Sequence, residues 1–378
     1  MHHKLLHFAL KRELNEIYIS IFLRTFAISL IGIFTPIFLL KEIGISFNQL
    51  LLYYLIVFLT LAFAYPISAK LCSRFGLRHV IMLSVPFYII FYFLLYNLLT
   101  YKISVYLLGF VLGLAEGLFW YAYSADFAKY SDRKHRVDQV KYWFIVASLI
   151  GIVGPFIGGY LLSLLNFYLL FVLVIVLLIF SVVPLLMSKD IVLGHDFTIS
   201  DVINKKNFEN FFLYYLQGMR GIALGIFWPI FIFLILKGYF SLGVISAGAT
   251  LVSSIATWLI VGYINKIDKV RFSKIGTMID GIVTFFRMFV KDFMQITGIS
   301  LLGGITVNLV EISASALSFD QANKTDIGGF LIFREIAYTL GRLSLLFAIL
   351  LIGLNAVWSI KLSFLILAGL SVVQNFIK

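Results

Sequence analysis

The chain has 378 residues, 61% of them hydrophobic and only 13% charged, with a mean hydropathy of +1.02 and a formal net charge of +12. Soluble domains run nearer a quarter charged, so this composition excludes a water-soluble enzyme and makes lipid the solvent. The basic excess then reads as loops facing an anionic membrane leaflet, not as a nucleic-acid surface.

At the N-terminus, Lys4, Lys11 and Arg12 alternate with Leu5, Leu6, Phe8, Leu10 and Leu14. This spacing predicts a short interfacial helix over 4–14. The apolar run there is too short for a signal core and is broken by His7. A spanning helix needs about 20 apolar residues. On that measure twelve spans are expected, at 17–40, 49–71, 78–99, 103–125, 140–162, 166–187, 210–235, 242–264, 273–290, 294–317, 327–352 and 355–376. Most connections are short. The longest, 188–209, carries Lys189, Asp190, Asp196, Asp201, Lys205, Lys206 and Glu209. It divides the chain into a first six-helix bundle over 1–187, a linker, and a second bundle over 210–378. With the N-terminus in the cytoplasm, most lysines and arginines outside the spans fall on the cytoplasmic side, and only Lys41, Lys102, Lys237 and Lys291 fall outside. That asymmetry predicts a multi-pass protein of the cytoplasmic membrane with both termini inside.

The halves echo each other. Residues 32–38 read Gly-Ile-Phe-Thr-Pro-Ile-Phe, and residues 225–231 read Gly-Ile-Phe-Trp-Pro-Ile-Phe. Span 4 ends Tyr-Ser-Ala-Asp126, and span 10 ends Leu-Ser-Phe-Asp320. The offsets, 193 and 194 residues, agree to one residue. Six spans separate the equivalent helices, so the repeat is parallel. The fold class expected is all-α integral membrane, twelve helices in two parallel repeats.

Charges inside a bilayer are costly and mark functional sites by default. Arg24 and Glu116 lie on spans 1 and 4, and Arg220 and Glu311 on spans 7 and 10. At 1.5 Å per residue, all four sit roughly 10–15 Å from the cytoplasmic ends of their helices. The expected pairs are Arg24–Glu116 and Arg220–Glu311, facing each other in a mid-membrane chamber. Buried pairs give little net stability over apolar packing, which favours a functional role over a purely structural one. Trp120, Tyr121 and Trp228 flank these charges as further cavity candidates. Asp280 and Arg287 on span 9 are also at bilayer depth and receive no partner from the sequence. On span 11, Glu335 and Arg342 are two turns apart on one face. Arg334 and Glu335 are read as a gate pair, and Arg342 as a deeper ligand contact.

Two short motifs carry a family resemblance. After span 2 the chain reads Ala-Lys-Leu-Cys72-Ser-Arg74-Phe-Gly76-Leu-Arg78. In span 5 it reads Gly151-Ile-Val-Gly154-Pro155-Phe-Ile-Gly158-Gly159. With the six-plus-six plan, these resemble the major facilitator superfamily, whose loop between helices 2 and 3 is Gly-x-Leu-Ala-Asp-Arg-x-Gly-Arg-Lys and whose exporters carry Gly-Pro-x-x-Gly-Gly on helix 5. Ser73 stands where the family has an acid in a cytoplasmic charge latch. Asp126 is therefore expected to take that place by pairing with Arg74 or Arg78, in a cytoplasmic gate of Arg74, Gly76, Arg78, Asp126, Asp320, Arg334 and Glu335. The same small residues on span 5 (Gly151, Gly154, Pro155, Gly158 and Gly159) also allow close helix packing. By resemblance, helices 1, 4, 7 and 10 line a central cavity, and these are the helices that carry the Arg and Glu pairs.

The resemblance implies a secondary transporter working by alternating access, a monomer without cofactor or metal. Its substrate is a small molecule, anionic or amphipathic. Efflux of drug-like compounds stands first, with a proton as the coupling ion and Glu116 or Glu311 as its carrier. Uptake of an organic anion is the alternative. A membrane-embedded transferase, a sensor and a lipid scramblase remain as rivals from other classes.

Overall fold

The computed structural model describes residues 12–130, 136–186, 197–264 and 269–374. The interfacial helix expected over 4–14 lies outside these residues up to residue 11, as does the linker from 187 to 196. All twelve expected spans are present as helices, and among the described residues there is no strand. In chain order they are α1 (Arg12–Ile31), α2 (Phe47–Phe75), α3 (Leu77–Tyr96), α4 (Val105–Tyr130), α5 (Arg136–Leu164), α6 (Phe167–Leu186), α7 (Phe211–Ile222), α8 (Tyr239–Ile264), α9 (Lys269–Phe286), α10 (Phe293–Lys324), α11 (Ile327–Ile352) and α12 (Ala356–Val373). Among the described residues, eleven helical segments are long and apolar enough to cross a membrane. The remaining helix, α9, carries Lys269, Arg271, Lys274 and Asp280 within 18 residues. The protein is a multi-pass membrane protein.

Its surface follows from that solvent. Phe63, Leu164, Leu186 and Leu351 all stand exposed around the helices. In water this would be an aggregation hazard, whereas in lipid it costs nothing. The helix ends are closed by short polar side chains. Ser46 and Gln49 form a reciprocal cap at the start of α2, and Asp292, Asp326 and Asn355 cap α10, α11 and α12. Each cap satisfies backbone N–H groups that the first turn leaves open. Gly76 joins α2 to α3 at φ +96°, a conformation that side-chain-bearing residues avoid.

Both copies of the proline motif interrupt their helix. Past α1, a turn at 32–34 leads to a one-turn helix, Thr35–Ile37, and then to the π segment Phe38–Glu42. Past α7, the π segment Ala223–Phe227 leads to the helix Trp228–Leu236. Pro36 and Pro229 each sit in the first turn of the restarted helix, where a missing N–H breaks no bond. The π segment follows the proline in the first copy and precedes it in the second.

Helices α1 to α6 pack on one another, as do α7 to α12. The two sets meet along α5 against α8 and α2 against α11. The span 5 glycines explain the first of these seams. A side chain at Gly154 or Gly158 would run into Ser29 or Leu30 of α1. On the other face, Gly159 lies against Gly243 of α8 and Gly151 against Thr250. Helix α5 is thus pressed between α1 of its own bundle and α8 of the other. A second stripe, Gly109, Gly113 and Gly117 of α4, backs onto the α2 backbone at Tyr53, Val57 and Leu61. The sequence shows that stripe at four-residue spacing, and the reading above passed over it.

Candidate functional site

Arg24 is 4% exposed. Its guanidinium lies 3.1 Å from the centre of the Phe119 ring and 4.5 Å from that of Tyr88, and it donates to the Tyr88 hydroxyl. Tyr88 in turn lies within electrostatic reach of Glu116, which accepts from the Trp120 indole. The expected Arg24–Glu116 pair therefore meets through a tyrosine of α3. These groups border a cavity of about 180 Å³ between α1 and α4, walled mainly by carbon and reaching Ile28, Phe119 and Trp120. Trp120 is 39% exposed, whereas Tyr121 is buried and sits on the linker side, its hydroxyl facing Gly328.

The second bundle repeats the plan with other residues. Arg220 is buried, and its partner is Asp280 of α9 at 3.1 Å. This corrects the expected pairing with Glu311. Depth along a helix was matched, but the rotation of α7 about its axis aims the guanidinium at α9. Asp280 also accepts from Thr306 of α10 at 2.5 Å. Glu311 lies within electrostatic reach of both Arg220 and Asp280. Arg287, 3% exposed, stacks on Trp228 at 5.1 Å. Its Nη2 occupies the space a side chain on Gly303 would need. Each bundle thus holds a polar core made by its first, third and fourth helices. Sequence reading found the first and fourth. It missed Tyr88 because tyrosine is ordinary in membrane helices. Asp280 was visible as an intramembrane acid but had no assigned partner.

Arg342 lies elsewhere. It bonds Glu335 at 2.5 Å and stacks 4.8 Å from Phe58 of α2, so this ion pair sits on the seam between bundles. Arg334 shares the Tyr338 ring with it, each guanidinium 5.6 Å from the ring centre. Its two terminal nitrogens donate to Ser318 of α10 at 2.8 Å and Ser124 of α4 at 3.1 Å. Those serines occupy equivalent places in the two halves, two residues before Asp320 and Asp126. Nearby, Asn323 donates to the Ala128 carbonyl at 3.1 Å. This linker-side contact joins α4, α10 and α11. Arg74 is exposed, while Arg78 is buried. Arg78, Asp126 and Asp320 all have partners. The opposite end is bridged too. The Tyr239 hydroxyl donates to Glu42 at 2.7 Å and accepts from Lys41 at 3.3 Å, and its ring packs on Phe34, Phe167 and Phe233.

Two parallel six-helix bundles, each with a polar core and joined by contacts at both ends, define the class: an all-α membrane protein with the major facilitator fold. The resemblance read from the motifs is borne out by the comparisons. The profile of the Major Facilitator Superfamily matches residues 17–195. The fold is similar to that of the human organic anion transporter MFSD10 (TETRAN), at 13% identity and a TM-score of 0.70, covering 97% of this chain and 98% of that one. It is equally similar to a mutant of the nucleoside transporter NupG, at 13% identity and a TM-score of 0.70, covering 96% and 97%. No individually curated protein matches the chain by sequence.

Proposed function

We propose that this protein is a secondary transporter that carries a small amphipathic molecule across the cytoplasmic membrane by alternating access. The observation that carries the reading is the cavity beside Arg24, Glu116 and Trp120, set in a two-bundle frame bridged at both ends. Alternating access needs two sets of breakable contacts across the bundle seam. The Arg334–Ser124 bond and the Tyr239–Glu42 bond supply one at each end. The carbon walls favour an apolar or aromatic body, and Arg24 Nε, which has no hydrogen-bond partner, favours an acidic group on it.

Outward movement is the direction we favour, on the Gly-Pro-x-x-Gly-Gly stretch of α5, with both termini in the cytoplasm and the protein acting as a monomer. Uptake of an organic anion is the second reading, supported by the fold likeness to an organic anion transporter. A transporter is favoured over an enzyme because both fold relatives are named as transporters.

Counterflow in proteoliposomes tests the proposal, using radiolabelled aromatic carboxylates, lipophilic cations and nucleosides as probes. The carboxylates are expected to exchange, with the signal reduced in Arg24→Ala and Trp120→Ala. Absence of exchange for all three classes would sink the reading.

A further inference from the structure

The buried arginine just past the end of α9 carries a charge that its neighbours do not answer. Arg287 is 3% exposed, and a guanidinium stays ionised even when buried. Its Nε and Nη1 have no hydrogen-bond partner. Among the described residues it is the one arginine with two such nitrogens. Among those residues, too, no carboxylate stands at ion-pair distance from it. Asp280 lies seven residues back in the chain, and its contacts go to Arg220 at 3.1 Å and Thr306 at 2.5 Å. Glu311 is eight residues beyond Gly303 on α10, about 12 Å along the helix axis. The guanidinium itself is held in place, stacked on Trp228 at 5.1 Å with Nη2 filling the space at Gly303.

Two hydroxyls flank it and are equally unused. Buried serines and threonines elsewhere donate to the carbonyl three or four residues back, as Ser84, Ser181, Thr277, Ser363 and Ser371 do. Thr284 and Ser300, 0% and 3% exposed, have no hydrogen-bond partner. Thr284 is three residues before Arg287, and Ser300 is three residues before Gly303. Residues three apart are neighbours on one helix face. Register thus places two unsatisfied N–H groups and two unsatisfied hydroxyls where α9 and α10 pack beside Trp228.

We propose that this place is a binding site for a small monovalent inorganic anion, of the chloride or nitrate class. The anion is held at the edge of Arg287, with the Thr284 and Ser300 hydroxyls as further donors. Chemistry selects among the occupants. Water would accept from the N–H groups and leave the charge uncompensated, and an unpaired buried charge is strongly unfavourable. A metal cation is repelled by Arg287. A large organic anion is kept out by the walls: Trp228 is 7% exposed and packs on Phe364 at 5.8 Å. One anion brings Arg220, Arg287, Asp280 and itself to zero net charge. The site is separate from the cavity beside Arg24, which lies between α1 and α4, and it does not rest on the transport reading.

Thermal unfolding of the full chain in a nonionic detergent reads the site. Sodium gluconate is exchanged for sodium chloride, bromide or nitrate at constant ionic strength, so that screening stays fixed. Wild type is expected to gain in unfolding midpoint, saturably with chloride, because the anion binds the folded chain. The gain is lost in Arg287→Met. The half-saturating concentration rises about tenfold in Ser300→Ala or Thr284→Val, the worth of one hydrogen bond to an ion. Crystals grown in bromide should show an anomalous peak beside the Arg287 guanidinium. Equal midpoints in gluconate and chloride overturn the proposal and leave water as the occupant. A gain that survives Arg287→Met overturns it as well. So does a gain lost in Arg24→Met instead, which would put the anion in the cavity of the first bundle. If Arg287→Met does not fold, the hydroxyl variants decide: half-saturation unchanged in both overturns the site.

Discussion

In the first bundle the arginine of the opening helix meets a tyrosine, and in the second it meets an aspartate. Everything else in the two cores follows from that exchange. Tyr88 accepts from Arg24 and stands between it and Glu116, which in turn accepts from the Trp120 indole. One cation and one carboxylate are balanced through a neutral bridge. Asp280 cannot bridge two opposite charges; it adds a negative one, and the second bundle carries Arg287 beside Arg220 to match it. The first core opens on a cavity. The second is a denser charge cluster beside the π segment that follows α7. A duplicated architecture thus carries two cores built from different residues.

Removing the aspartate should hurt most. Asp280→Ala leaves two buried guanidiniums without a carboxylate at contact distance, a loss of about 3–5 kcal/mol for a broken buried pair. Tyr88→Phe keeps the ring under Arg24 and removes only the hydroxyl, for about 1–3 kcal/mol. Thermal unfolding in detergent measures both; equal losses would mean that the two cores do not differ in kind. Next comes Gly303→Ala, whose added carbon lands on Arg287 Nη2. Overpacking of this sort costs about 1–3 kcal/mol, and Arg287→Met in the same chain should recover most of it. Trp120→Phe deletes one donor to Glu116 and keeps the aromatic wall, so a smaller loss of about 1 kcal/mol is expected. It should also weaken binding of an aromatic carboxylate, read by the change in tryptophan quenching. Smallest is Gly221→Ala. With nothing near the added carbon, it should stabilise the helix by roughly 0.4–1 kcal/mol while slowing any process that bends α7, a combination that hydrogen exchange on that helix would show.

The spans were legible because composition and length alone decide what crosses a bilayer. Arg24 and Arg220 were legible as buried charges for the same reason. Their partners were not. Depth is a count along one helix, but contact depends on the rotation of neighbouring helices, which no periodicity in a uniformly apolar segment records. The end of span 4 shows the limit plainly. The repeat drew attention to Asp126 and Asp320, the charged members, whereas the cross-bundle bond to Arg334 uses the serines two residues earlier. A hydroxyl gives no signal in a charge survey.

That bond has a consequence for how the protein responds to its medium. A linker-side closure made of arginine and carboxylate across a solvated surface would weaken as salt rises, since exposed charges are screened within about 8–10 Å at physiological ionic strength. Arg334 is 7% exposed and holds neutral hydroxyls. These two bonds of Arg334 should therefore hold nearly unchanged from dilute buffer to concentrated salt, set by geometry rather than by the ions outside.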